Sequence, residues 1–305
     1  MLDPSYATMA KALVIAEGDG GDAVAALRHA GYATPAPVGF AAVARDLSNY
    51  DGLDMILIEG AGAPDDLFDL VLARADTMAR ERSLGIVAAI TLQQIDVAAA
   101  HLLGPRTQLL CEPSQAERIA AIAAARWLAR GVVNDVTREA ESVRLQRLNE
   151  EIARIADTLA RLTRGEDGER RRSVRAPDND YRGPDDGAPI EISPQEVRAT
   201  IRSRRMRGQF FQGDLFADPA WDMLLDLFAS ALERRQVSVS SLCIAAAVPP
   251  TTALRWIGTL HDAGLFERQA DPSDRRRAYI GLSAKGLDGM RSYASAVKRA
   301  GLQMV

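Results

Sequence analysis

The chain has 305 residues, enough for two ordinary domains and a connector, and 47% hydrophobic content supports a buried core. Only 5% of residues are aromatic and alanine is abundant, which favours helix over β-sandwich; two cysteines and three histidines exclude a disulfide framework and a zinc signature, so no metal or cofactor is assigned. The formal net charge of −4 conceals a gradient, from 7 basic against 15 acidic residues over 1–113 to 16 against 11 over 195–305, which directs any polyanion-binding surface to the last third.

Strand and helix signals alternate through the first third. KALVIAEG is a short apolar run that reaches Glu17, and the helical DAVAALRHAGY follows it. ATPAPVG, residues 33–39, is a weaker strand candidate. DMILIEG carries Glu59 and precedes the helical PDDLFDLVLARADTMARERS. GIVAAIT ends at Thr91 before LQQIDVAAAHLL, and TQLLCEP carries Glu112. Five strands alternating with five helices predict a parallel sheet covered on both faces, a doubly wound α/β domain over residues 1–113. The alanine-rich stretch over 95–128 is broken by charges and cannot span a bilayer; with no cleavable leader visible, a reduced cytoplasmic setting without membrane contact is expected.

Ser114 and Glu117 form a capping-box pattern that opens the fifth helix, which then shows no clear stop. From Leu145 the apolar positions run Leu145, Leu148, Ile152, Ile155, Leu159 and Leu162, alternating steps of three and four. This heptad seam predicts a coiled coil within a long helix over 114–163, and self-association of the chain. GEDGERRRSVRAPDNDYRGPDDGAP has few large apolar residues, so 164–193 reads as a flexible linker.

Residues 194–305 read as helix, helix, short helix, turn, helix, β-hairpin, helix. In VSVSSLCIAAAVPPTTALRWIGTL, Leu242 and residues 245–247 fit a tight apolar helix, Val248 and Pro249 fit a turn, and Pro250 suits the first position of the next helix. Leu254, Ile257 and Leu260 fall on the core side of that helix. Thr251, Thr252 and Arg255 fall on its exposed side, where hydroxyls and a guanidinium suit base edges and phosphates.

The stretch TTALRWIGTLHDAGLFERQADPSDRRRAYIGLSAKG resembles the multiple-antibiotic-resistance-regulator (MarR) family of winged-helix transcription factors. The resemblance is carried by Gly264-Leu265, Arg268, Asp271-Pro272, Asp274-Arg275-Arg276, Leu282-Ser283 and Gly286, and covers about a third of the chain. It implies a winged helix-turn-helix that binds double-stranded DNA as a homodimer. Pro250, Thr251, Thr252 and Arg255 would serve the major groove, and a wing of Asp274, Arg275, Arg276 and Arg277 the minor groove, whose negative potential favours arginine. It further implies an Asp274–Arg276 pair that shapes the wing, and dimer helices on either side of the winged helix.

The first third resembles the response-regulator receiver domain with its chemistry altered. That family implies an aspartate ending the third strand, an acidic pair after the first, Thr or Ser ending the fourth, and Lys-Pro after the fifth. Here Glu59, Glu17 alone, Thr91 and Glu112-Pro113 stand in those places. The resemblance implies a pseudo-receiver that works without phosphorylation, in dimerisation, signal input or docking of a protein partner. Two rivals stand beside it. GDGGDA, residues 18–23, matches a dinucleotide-binding fingerprint but lacks the acidic residue expected after the second strand; on that reading the domain is a nucleotide sensor or oxidoreductase. On the other, the winged helix binds protein as a scaffold. The favoured expectation is a transcriptional regulator without enzymatic activity.

Overall fold

The computed structural model describes residues 10–33, 36–47, 49–130, 191–211, 216–271, 274 and 278–304. The heptad seam, the linker and Arg275, Arg276 and Arg277 lie outside the described residues. The described residues up to Ala129 and from Glu191 onward belong to one compact unit.

Its first half holds a parallel sheet of β1 (Ala12–Ala16), β2 (Met55–Glu59), β3 (Gly85–Ile90) and β4 (Thr107–Cys111), in that order. β1 and β3 are buried at every position, as strands covered on both faces must be. Alternate residues serve two apolar layers. Val14 and Leu57 pack with Leu27 of α1 (Gly21–His29) and Ile122 of α5 (Gln115–Arg130). Ile15 and Ile58 pack with α2 (Phe40–Arg45), α3 (Asp65–Arg82) and α4 (Ile95–His101) through Phe40, Phe68 and Ile95. Five strands were expected; among the described residues the weak candidate after α1 forms two isolated bridges, Ala33 with Lys11 just before β1 and Val38 with Ile15 of β1. At the second of these points the Val38 N–H donates to the Val14 carbonyl at 2.9 Å, and the Val38 carbonyl accepts the Ala16 N–H at 3.0 Å. The capping box at α5 is formed, with the Ser114 N–H and hydroxyl both 2.8 Å from the Glu117 carboxylate. These two donors hold the Glu117 carboxyl below the usual carboxylate range.

The second half runs α6 (Pro194–Phe210), α7 (Pro219–Leu232), β5 (Val237–Ser238), α8 (Val239–Ala245), α9 (Pro250–Asp262), β6 (Phe266–Ala270), β7 (Ala278–Leu282) and α10 (Ala284–Arg299). Its small antiparallel sheet has the order β5-β7-β6. Helix starts carry side-chain caps: Ser193 on α6, Asp218 on α7, Ser238 on α8 and Ser283 on α10. The Gly-Leu step ends α9. Gly264 takes φ 69°, its N–H donates to the His261 carbonyl at 2.9 Å, and the Leu265 N–H donates to the Leu260 carbonyl at 3.0 Å. A side chain at that left-handed position would be strained. Gly286 is needed for closeness instead, since a Cβ there would be driven into the Leu265 carbonyl oxygen.

Candidate nucleic-acid interface

α8 and α9 form a helix-turn-helix. The Ser238 hydroxyl accepts the Ser241 N–H at 3.2 Å to start α8, and Ala247 at φ 53° turns the chain towards α9. Pro250 stands at the first turn of α9, where its missing N–H costs nothing. Ala253, Leu254, Ile257 and Leu260 are buried, Arg255 is exposed, and Thr251 and Thr252 are half-buried. The expected core and groove faces of α9 are therefore on opposite sides. β6 and β7 pair from Phe266 opposite Leu282 to Ala270 opposite Ala278, the two strands of the wing. Between them in sequence, the Asp274 N–H donates to the buried Asp271 carboxylate at 3.2 Å, and the expected Asp274–Arg276 pair lies outside the described residues.

The groove face of α9 meets the chain's own α/β half. Thr251 Oγ1 accepts the Cys111 N–H at 3.0 Å and donates to the Cys111 carbonyl at 3.1 Å, which satisfies both backbone groups at the end of edge strand β4. At the start of α8, the other helix of the helix-turn-helix, the Ser240 N–H and hydroxyl donate to the Asp96 carboxylate at 2.8 and 2.7 Å. Asp96 belongs to the first turn of α4 and its carboxylate accepts an N–H from the first turn of α8, so it meets two helix N-termini, where negative charge is favoured. Arg268 of β6 donates to the Ala100 carbonyl of α4. Beside these contacts lies a cleft of about 430 Å³ between β4, α5 and α9, lined by Gln108, Glu117, Thr252, Arg255 and Thr259 among others. Burial pushes the Cys243 thiol up to about 12, with the Asp96 and Cys111 charges adding to it.

The four receiver-type positions lie at the carboxyl ends of the strands, each with a structural task. Glu17 accepts the Phe40 N–H at 3.1 Å and starts α2. The Thr91 N–H donates to Gln94 Oε1 at 3.0 Å in a capping box. Glu112 takes a left-handed φ of 47° as the chain leaves β4. Glu59 receives two bonds from the buried Arg118, Nε to Oε1 at 2.9 Å and Nη2 to Oε2 at 3.1 Å. Arg118 Nη1 also donates to the Pro113 carbonyl at 2.6 Å. Glu59 thereby has its charge matched within the chain, and the hydrogen bonds to it keep the Arg118 guanidinium raised above its ordinary value. In the glycine-rich loop, the Gly21 N–H at the start of α1 donates to the Asp19 carboxylate at 3.1 Å. A pyrophosphate at that helix end would meet this negative charge, which disfavours the dinucleotide reading.

Sequence reasoning did not single out Asp96, Ser240 or Arg118. Arg118 had one usable signal, since a glutamate closing an apolar strand needs a cation within reach. Among the described residues, no group of three or more His, Cys, Asp and Glu side chains could hold a metal ion, and no helix is long and apolar enough to cross a membrane.

Residues 225–286 match the family described as winged helix DNA-binding domain. Among solved structures, S. aureus MepR bound to ethidium bromide is similar over 35% of this chain and 71% of its own, at 19% identity and a TM-score of 0.26. The S. aureus MepR-DNA complex is similar over 35% and 80%, at 17% identity and a TM-score of 0.25. A MarR family transcriptional regulator from Silicibacter pomeroyi is similar over 34% and 68%, at 20% identity and a TM-score of 0.25. No curated protein matches the chain.

Proposed function

We propose that the winged helix DNA-binding domain of residues 225–286 makes this chain a transcriptional regulator of MarR type, which binds duplex DNA as a homodimer. The observation that carries the reading is α9 itself: a helix-turn-helix second helix with Leu254, Ile257 and Leu260 inward and Thr252 and Arg255 outward. Short hydroxyls and a guanidinium on that face suit base edges and phosphates. The sequence between β6 and β7 adds Arg275, Arg276 and Arg277, residue types that suit a narrow minor groove. Dimerisation is supported by Met206, Phe210 and Phe211 exposed at the end of α6, and by the heptad pattern from Leu145 to Leu162. The α/β half serves as a phosphorylation-independent input or docking domain, because Arg118 already occupies the Glu59 carboxylate.

The test is selection of bound fragments from sheared genomic DNA by the full chain, followed by footprinting. A two-fold regulator enriches a pseudo-palindrome whose half-site centres lie about 10 base pairs apart, or a multiple of that. Recovery of no fragment above background would refute the DNA-binding reading, and a footprint without two-fold symmetry would refute the dimer.

A further inference from the structure

The face of α9 that a major groove would meet is the face turned to β4 and α5. Thr251 is spent on the Cys111 backbone, Thr252 and Arg255 line the cleft opposite Gln108 and Glu117, and Arg268 of the wing strand is held by the Ala100 carbonyl. A DNA helix and the α/β half cannot both occupy that face. The half that covers it is also the acidic one, with 15 acidic against 7 basic residues over 1–113, and it brings the Asp96 carboxylate to Ser240 and the Glu117 carboxylate to the cleft beside α9. Apolar packing backs the polar contacts: Ile95, Ala98, Ala99 and Leu102 of the α4 region share one core cluster with Val239, Leu242 and Cys243 of α8.

We infer that this closed arrangement is autoinhibited: the α/β half and duplex DNA compete for one face of α9, and the halves must part before DNA binds. The inference rests on the DNA-binding reading given above. Apparent DNA affinity is then the affinity of the open chain multiplied by the fraction that is open. A signal or partner that binds the freed β4 edge or the α5 face raises that fraction, and the same surface that inhibits becomes the surface that senses.

Asp96 is the place to test it, because it lies in the α/β half, outside the DNA-contacting set, and closes the contact through Ser240. Asp96→Ala removes a charge-assisted pair, and the full chain should bind duplexes of about 30 base pairs and random sequence on the order of 10-fold more tightly. Asp96→Asn removes the same charge but keeps an acceptor for Ser240, so its gain should be smaller. The Cys111 amide reports the latch directly. Its N–H is bonded to Thr251 in the closed chain, and hydrogen exchange should show it losing protection when wild-type protein binds the duplexes. Two results would overturn the inference: a Cys111 amide still protected in the DNA complex, or one opened by Asp96→Ala with DNA affinity unchanged. Failure of both wild type and Asp96→Ala to bind DNA would instead defeat the DNA-binding reading.

Discussion

Replacing Arg118 by methionine strips the counter-charge from a carboxylate that water barely reaches. The two side chains keep 11% and 13% of their exposure, and the guanidinium grips both Glu59 oxygens at 2.9 and 3.1 Å. Methionine preserves most of the volume, so the loss is electrostatic and not a cavity. Removing one partner of such a pair costs about 3–5 kcal/mol, because the other is left charged in a poorly solvated site. The Pro113 carbonyl loses its donor as well. In a folding unit of this size each kcal/mol lowers the melting temperature by about 2–4 °C, so a fall of roughly 6–20 °C is expected by circular dichroism at neutral pH. The double variant Glu59→Leu/Arg118→Met removes both charges and should recover most of that loss, giving a coupling well outside additivity. A single variant within about 1 kcal/mol of wild type would show that solvent reaches Glu59, and would refute a buried pair.

Three further outcomes follow from the same contacts. Acetyl phosphate with Mg²⁺ should leave the intact mass of the chain unchanged, for wild type and for Glu59→Asp alike; an added phosphoryl group would refute a domain that works without phosphorylation. The Glu233 carboxyl is held below its usual range by Arg198, whose Nε and Nη2 reach it at 3.2 and 3.0 Å. A depressed acid stabilises above its unfolded value and ceases to do so as pH falls through the folded one. Urea midpoints of wild type should therefore approach those of Glu233→Gln below about pH 4, and a constant gap between the two would contradict the role. Asp placed at both Leu148 and Ile155 should weaken the dimer in light scattering; an unaltered dimer would remove the heptad pattern from the assembly.

Local signals made most of the fold legible. The apolar runs at Ala12, Met55, Gly85 and Thr107 became the four strands because fully buried parallel strands need unbroken apolar sequence. Gly264, Gly286 and the run from Leu254 to Leu260 set the winged helix, where backbone geometry and helical spacing are written within a few residues. The weaker strand candidate over 33–39, two of whose seven residues are proline, forms two isolated bridges among the described residues, Ala33 with Lys11 and Val38 with Ile15. The contacts that close the site were not legible. Cys111 and Thr251 stand 140 residues apart, Asp96 and Ser240 144, and Glu59 and Arg118 59. No periodicity links such positions, since their meeting depends on how completed layers pack. Thr251 shows the consequence: its type and place suit a DNA contact, while its partner in the closed chain is a strand edge.

The claim that α9 reads DNA is tested most directly by anisotropy of a labelled duplex titrated with full-length chain, in wild type, Asp96→Ala and Asp96→Ala/Arg255→Ala, across salt concentrations. Binding should weaken linearly in log–log form as salt rises. Arg255→Ala should lower affinity and relax the preference for the selected site by about 1–3 kcal/mol at one base pair. Equal affinity and site preference with and without Arg255, or no binding by any of the three proteins at low salt, would contradict it.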